Sequence, residues 1–287
     1  MEPKPIYKST AGREEILKLY NKVLAQWPLP CTHIHTPTRY GDTFVIATGD
    51  DSAPPLVLLH GTASNSATWA GDVKVYARNF RVYAIDIPGE PGNSDARRFS
   101  WQGPAFAEWL DEVLNGLGLG KVTLGGMSLG AWATIKYTLY KPDRIQKAVL
   151  IAPSGICQPR LSFVARMLFF SLLGEWGRNR MKQYIFRGAE FPEELDQFLT
   201  LIGRHFNYRL GAPPLFSDEE LQSLTMPVLL LAGDQDVLLN TPKTAERLQK
   251  LVPDLTVKIF EEDGHAAINT AADVVSFLNN SPLARPV

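Results

Sequence analysis

The chain has 287 residues, a length that suits one large domain or a domain that carries an insertion. Its 29 basic and 30 acidic residues nearly cancel, so the net charge gives no electrostatic reason to expect nucleic acid or an anionic membrane surface as partner. The most apolar long stretch, 161–173, contains Arg166 and is too short to span a bilayer.

Two further features bear on the compartment. The first residues lack the basic region followed by an apolar region that a secretory signal needs, so we expect a cytoplasmic location. The two cysteines, Cys31 and Cys157, have neither metal-ligand nor disulfide-framework spacing. We interpret both as small buried hydrophobic residues. The sequence indicates no oligomeric state.

Short apolar runs alternate with longer helical patterns over most of the chain. The predicted strands are 43–47, 56–60, 81–86, 121–125, 146–151, 227–232 and 256–260. The predicted helices are 67–78, 104–117, 129–140, 242–251 and 271–279. This alternation predicts an α/β fold with a mostly parallel central sheet and helices on both faces.

The alternation stops after Ile151. Roughly seventy residues precede the next convincing strand, too many for a plain connection in a compact domain. The intervening residues look helical and strongly apolar, so we predict an insertion there. We place the core domain at 1–154 and 223–287, and a helical cap at 155–222.

The sequence Gly-Met-Ser-Leu-Gly at 126–130 follows an apolar run and opens a predicted helix. A sharp turn from strand to helix can present a serine hydroxyl to a base only if the neighbouring residues are small, and Gly126 and Gly130 supply that room. An ordinary glycine-rich turn with a capping serine has the same pattern. The context of Ser128 must therefore decide between these interpretations.

A serine nucleophile needs a base, and His265 is the best placed of the five histidines. It lies on a loop just beyond the last predicted strand, and ligand-facing residues of open parallel sheets gather at such carboxyl ends. The base in turn needs a carboxylate, and Asp234 and Asp236 both follow a buried strand. We expect Asp234 to close the turn through its own backbone and Asp236 to reach the imidazole.

The developing oxyanion needs backbone N–H donors. One is expected from Leu129, directly after the serine, and the other from Thr62, in the loop that follows the run Leu-Leu-His-Gly at 58–61. Gly61 allows the backbone to turn sharply there. We interpret His60 as a structural residue that braces this loop and not as a second base.

Taken together, these segments resemble the α/β-hydrolase family, in which the nucleophile, acid and histidine follow one another in the order Ser128, Asp236, His265. The matching segments are 58–61 with Trp69, 86–94, 126–130, 233–236 and 264–265. The resemblance covers the chain from about residue 40 onward except for the insertion, and it implies an α/β-hydrolase fold with a helical cap inserted after the sixth strand.

A closer resemblance is to bacterial carboxylesterases that cleave naproxen-type aryl-propionate esters, and it is carried by segments 26–31, 38–41 and 53–61. It implies a small-molecule carboxylic ester with an apolar acyl part as substrate. We predict hydrolysis through an acyl-enzyme on Ser128 that requires no metal or organic cofactor. We expect no nucleic-acid partner and no membrane span.

The cap should lie over the serine, and its large apolar side chains suggest a pocket lining. The candidates are Phe163, Met167, Phe170 and Trp176. The alternative is that most of these side chains merely pack the cap onto the core.

Other chemistry uses the same triad, because a fold alone does not determine a reaction. Carbon–carbon bond hydrolases, hydroxynitrile lyases and perhydrolase or haloperoxidase relatives remain alternatives. A ligand-sensing receptor with little turnover is a further alternative from a different class. A serine at the turn argues against dehalogenases and epoxide hydrolases, which use a carboxylate nucleophile.

Overall fold

A computed structural model describes residues 5–185, 193–209, 211–265, 270–281 and 283. Within these ranges the helices are too short or too polar to cross a membrane. Both cysteines are partly exposed, so the prediction that they are buried hydrophobic residues is wrong.

A single sheet of eight strands forms the centre of the described chain. The strands are β1 Cys31–Thr38, β2 Gly41–Thr48, β3 Pro55–Leu59, β4 Arg81–Ile85, β5 Val122–Met127, β6 Ile145–Ile151, β7 Val228–Gly233 and β8 Leu255–Phe260. Their order is β1-β2-β4-β3-β5-β6-β7-β8. Strands β3 to β8 are mutually parallel, whereas β2 is antiparallel to both β1 and β4. The predicted mostly parallel sheet is confirmed.

Helices flank both faces of the sheet. They are α1 Thr10–Leu24, α2 Val73–Tyr76, α3 Ala105–Gly116, α4 Leu129–Tyr140, α5 Leu161–Ser171, α6 Gly174–Ile185, α7 Glu193–His205, α8 Asp218–Gln222, α9 Thr241–Leu251 and α10 Ala271–Leu278. Helices α1, α2 and α10 pack on one face, and α3, α4, α8 and α9 pack on the other.

Alternation along each strand builds these two cores. In β3, Leu56 and Leu58 contact the face covered by α1, α2 and α10, whereas Val57 and Leu59 contact the opposite face. Successive side chains of a strand point to opposite faces, so a strand covered on both sides is apolar throughout. Strand β7 divides in the same way, which explains why both strands are continuous apolar runs in the sequence.

The seven predicted strands are all present, with ends within two residues of the prediction. Strand β1 was not predicted, because it is an exposed edge strand with only Thr36 buried and no run of apolar residues. Helix α1 was also missed, although Ile16, Leu19 and Tyr20 form a buried stripe and Ser9 caps its first turn.

The predicted helix at 67–78 is wrong as a continuous element. The chain instead forms a 3₁₀ turn at Ser66–Trp69 and the one-turn helix α2. Gly71 lies between them, and glycine weakens a helix interior because it loses more backbone entropy than any other residue.

The segment between β6 and β7 is helical, as predicted, and contains α5, α6, α7 and α8. In α5 and α6 only Gly177 is buried, and in α7 only Ile202. The division into a core at 1–154 and 223–287 and a cap at 155–222 stays a prediction.

The segment before α1 is fastened to the end of α7. Tyr7 and Phe206 form an antiparallel bridge. The Lys8 N–H donates to the His205 carbonyl, and the Asn207 N–H donates to the Ile6 carbonyl, both at 2.8 Å. A small buried cluster of Ile6, Ile16, Ile202 and Phe206 stabilises this junction.

Candidate active site

Ser128 lies between the end of β5 and the start of α4. Its backbone has φ 52° and ψ -106°, a conformation that residues other than glycine rarely adopt. The Ser128 N–H donates to the Ile151 carbonyl at 2.9 Å, and its own carbonyl accepts from Trp132 at 3.0 Å. Strained backbone at a surface-facing turn is a common feature of functional sites.

Two glycines make this turn possible because other backbone passes very close to them. A Cβ atom on Gly126 would overlap the carbonyl group of Gly130. A Cβ atom on Gly130 would overlap the carbonyl of Leu59 in the neighbouring strand. The requirement for small residues on both sides of Ser128 is therefore steric.

Asp236 follows β7 and is 1% exposed. One carboxylate oxygen accepts the backbone N–H groups of Leu238 at 2.7 Å and Leu239 at 2.9 Å. Its other oxygen lies 2.7 Å from Nδ1 of His265. Burial by itself would raise the pKa of Asp236, but the hydrogen bond and charge of His265 and the two N–H groups outweigh it and lower the pKa.

His265 follows β8, and its Nε2 atom lies 3.1 Å from Oγ of Ser128. The loop before it is held by Asp234, which accepts the Glu262 N–H at 2.8 Å. Asp234 therefore bonds to the loop after β8, and not to the backbone of its own turn as the sequence suggested. A proton on Nδ1 that is donated to Asp236 leaves Nε2 free to accept the Ser128 hydroxyl proton.

The loop after β3 passes next to Ser128. A Cβ atom on Gly61 would lie 3.6 Å from the Cβ atom of Ser128, and the exposed Thr62 follows directly. The buried Leu129 is the first residue of α4, so its N–H has no acceptor within the helix. Neither N–H group donates a hydrogen bond to another residue within the described ranges.

His60 braces this loop from inside the protein. Its Nε2 atom accepts the Ile87 N–H at 2.9 Å, and its Nδ1 atom donates to the Gly61 carbonyl at 2.8 Å. The ring is fully buried, and burial lowers its pKa. These contacts agree with a bracing role and leave no nitrogen free for a second base.

Sequence reasoning did not single out Ser154, which follows β6. Its Oγ atom lies 3.4 Å from Oγ of Ser128, and its N–H donates to the Ser128 carbonyl at 3.3 Å. Its position after a buried parallel strand is the signal that could have identified it.

A small cavity lies beside Ser154 and has a volume of about 120 Å³. The residues that line it include Ser154, Cys157, Pro213, Pro214 and Leu239. The lining is mostly apolar, as expected of a site for a small apolar group.

The four residues proposed from the sequence as pocket lining do not line this cavity. Met167 and Trp176 are 43% and 57% exposed, and Phe163 and Phe170 are partly buried in α5. Their role as substrate-pocket residues stays a prediction. In the part of the chain that the structure describes, His, Cys, Asp and Glu side chains form no group of three or more that could hold a metal ion.

Comparisons with known proteins show the family and the fold of this chain. The model of the alpha/beta hydrolase family matches residues 56–276. The uncharacterized carboxylesterase nap of Bacillus subtilis is 31% identical over 257 residues, which cover 86% of this chain and 84% of that protein.

Two solved structures from Bacillus subtilis are similar over nearly the whole length. Carboxylesterase CesB (YbfK) has a TM-score of 0.84 and 28% identity, and naproxen esterase (carboxylesterase NP) has a TM-score of 0.83 and 27% identity. Both matches cover 95% of this chain and 100% of the other chain. The fold and the resemblance predicted from the sequence are therefore confirmed, and the chain belongs to the alpha/beta hydrolase family.

Proposed function

We propose that this protein hydrolyses small apolar carboxylic esters through an acyl-enzyme intermediate on Ser128. The observation that carries this proposal is one continuous chain of hydrogen bonds. It runs from Ser128 Oγ to His265 Nε2 at 3.1 Å and from His265 Nδ1 to Asp236 Oδ2 at 2.7 Å. A hydroxyl, an imidazole and a buried carboxylate in this order form a general-base relay.

The predicted enzyme class, a carboxylic ester hydrolase, is confirmed by relatives that bear this name over most of the chain. The finer substrate class is our proposal. Naproxen esterase is among the similar structures, and the cavity beside Ser154 is mostly apolar. Both observations favour an ester with an apolar acyl part.

In the first step, Ser128 Oγ attacks the ester carbonyl carbon while His265 Nε2 takes the hydroxyl proton. Asp236 stabilises the resulting imidazolium, since it remains an anion in direct contact with Nδ1. Collapse of the tetrahedral intermediate breaks the bond to the alcohol oxygen. The imidazolium returns its proton to that oxygen, so the alcohol leaves neutral.

In the second step, water attacks the acyl-enzyme while His265 takes a proton from it. Collapse of the second tetrahedral intermediate releases the carboxylic acid and returns the proton to Ser128 Oγ. In both intermediates we assign the oxyanion to the N–H groups of Leu129 and Thr62, which flank Ser128 and are free to donate. Loss of one such donor typically lowers turnover by about 10²–10³-fold.

Turnover of p-nitrophenyl butyrate by the Ser128→Ala variant tests the proposal. We expect kcat to fall on the order of 10⁶-fold, to the assay background. Labelling with a fluorophosphonate and mass spectrometry should place one adduct on the peptide that contains Ser128. The matched variant Ser154→Ala removes the neighbouring hydroxyl and should retain the adduct. Turnover by Ser128→Ala near that of the unaltered protein would eliminate this mechanism.

A substrate panel separates ester hydrolysis from other chemistry on the same triad. Acyl esters of graded length and aryl-propionate esters should be hydrolysed with continued turnover after any burst. Vinylogous diketones, cyanohydrins and peroxide-dependent substrates should react more slowly. One equivalent of product without further turnover would instead indicate a ligand-sensing receptor.

A further inference from the structure

Glu90 is a buried carboxylate in the loop after β4, and it is 2% exposed. Its Oε2 atom accepts the Ala63 N–H at 2.6 Å. Ala63 directly follows Thr62, to which we assign one oxyanion donor. The carboxylate therefore holds the peptide group immediately after that residue.

The loop at 60–66 needs such support because its backbone is strained. Ala63 has φ 57°, in the left-handed region that favours glycine. Three further hydrogen bonds fasten this loop to the loop after β4. Ile87 donates to His60 at 2.9 Å, Asn65 donates to the Pro91 carbonyl at 2.9 Å, and the Ser66 N–H donates to Asp86 at 2.8 Å. Of these contacts, only Glu90 reaches the centre of the strained turn.

The charges around Glu90 favour its anion. Burial raises the pKa of Glu90 to about 7, and the Ala63 hydrogen bond and the charges of Arg98 and Arg209 offset part of that rise. Arg209 lies over the ring of Trp101 at 3.8 Å, and burial lowers the Arg209 pKa to about 10. At about pH 8, Glu90 is therefore mainly ionised, and the charges of Arg98 and Arg209 stabilise its anion.

We propose that Glu90 is a positioning residue for ester hydrolysis. Its carboxylate accepts the Ala63 N–H and thereby orients the neighbouring Thr62 N–H toward the oxyanion. The inference rests on the proposed function, in which Thr62 is an oxyanion donor. Preorganised donors stabilise the transition state without reorganisation at the moment of reaction. Because the substrate carbonyl carries little charge before attack, loosening this loop affects kcat and leaves KM nearly unchanged.

The test compares Glu90→Leu and Glu90→Gln with the unaltered protein at about pH 8. For p-nitrophenyl butyrate we expect kcat to fall about 30-fold in Glu90→Leu and about 5-fold in Glu90→Gln, because an amide oxygen is a weaker acceptor than a carboxylate. KM should change less than about 2-fold.

An n-butyl trifluoromethyl ketone provides a second readout. Ser128 adds to its carbonyl and forms a hemiketal whose oxyanion occupies the same donors, while the hydroxyl proton moves to His265. Its Ki should rise by the same factor by which kcat falls in each variant. A general loss of folded protein would lower kcat without changing the Ki of the remaining active fraction.

Glu246→Gln, on the exposed side of α9, is the matched control and should leave kcat, KM and Ki unchanged. Folded Glu90→Leu with unaltered kcat and Ki would overturn the inference. If Glu90→Leu does not fold, unaltered kcat and Ki in Glu90→Gln would overturn the inference. Failure of the proposed function is distinguishable, because Ser128→Ala would then stay active and the ketone would not inhibit even the unaltered protein.

Discussion

His265 and Asp236 meet at 2.7 Å through Nδ1 and Oδ2, while the opposite oxygen of the same carboxylate accepts two backbone N–H groups. These two N–H groups hold the carboxylate in the orientation in which it contacts the imidazole. Since its pKa lies below its usual range, its contribution to stability is present at neutral pH and is lost only as the pH falls through that lowered pKa.

Asp236→Asn should lower kcat for p-nitrophenyl butyrate by about 10⁴-fold with little change in KM. An amide that keeps its oxygen toward Leu238 and Leu239 presents its NH₂ group to His265, which favours the wrong imidazole tautomer. Steady-state kinetics measure this effect. Asp143→Asn, which alters an exposed carboxylate, serves as control, and equal activity of the two variants would contradict the assigned role.

Gly130→Ala should lower the free energy of unfolding by about 3 kcal/mol, because the added methyl group overlaps backbone that cannot move without disturbing β3. Urea unfolding followed by circular dichroism measures the change. Gly120→Ala is the matched control, since a Cβ atom there meets nothing within 4 Å. Equal stability of the two variants would show that the turn at Ser128 has more room than its geometry indicates.

Glu90→Gln should make the protein more stable at about pH 8 than the unaltered chain, although it slows turnover. The folded pKa of Glu90 is about 7, against an ordinary value of 4.5, so stability is lost as the pH rises through this interval. The glutamine amide does not ionise, so the variant avoids the loss of about 3 kcal/mol in the free energy of unfolding that ionisation of Glu90 causes.

The groups that face Glu90 are Arg98 and Arg209, whose charges lower its pKa, and Tyr7 and Tyr208, whose pKa values it raises. Urea unfolding of both proteins at about pH 5 and pH 8 gives the comparison. A stability difference that does not change between these two pH values would contradict the assigned titration.

Cys157→Phe should shift acyl preference toward short chains, because the ring fills most of the cavity of about 120 Å³ beside Ser154. The ratio of kcat/KM for p-nitrophenyl hexanoate over acetate should fall about 10- to 100-fold. Cys157→Ser has nearly the same volume and should keep the original ratio. An unaltered ratio in Cys157→Phe would mean that the acyl chain lies elsewhere.

The parts of the site that follow the parallel strands could be predicted from the sequence. Parallel strands end at one edge of the sheet, so residues after β5, β7 and β8 converge there whatever their separation along the chain. This reasoning placed Ser128, Asp236 and His265 near one another, and the structure brings them within hydrogen-bond distance. Their catalytic roles stay a proposal.

The parts that depend on packing between loops could not be predicted. Glu90 is an ordinary loop carboxylate in the sequence, and its contacts with Ala63 and the two arginines arise only from the packing of loops. The edge strand β1 carries no apolar run, because one side of it faces solvent. Among the large apolar residues of the insertion, periodicity does not distinguish those that face a substrate from those that face solvent, as the exposed Trp176 illustrates.

The bridge between Tyr7 and Phe206 joins the amino-terminal segment to the residues that follow α7. Arg209, which faces Glu90, follows Phe206 by three residues, so its position is anchored by residues more than a hundred positions away from the serine. If Glu90 positions Thr62 as proposed, loss of the contacts of Ile6, Tyr7 and Lys8 with the end of α7 should impair turnover before it impairs folding of the sheet. A tag or fusion at this end of the chain is best separated from it by a generous spacer.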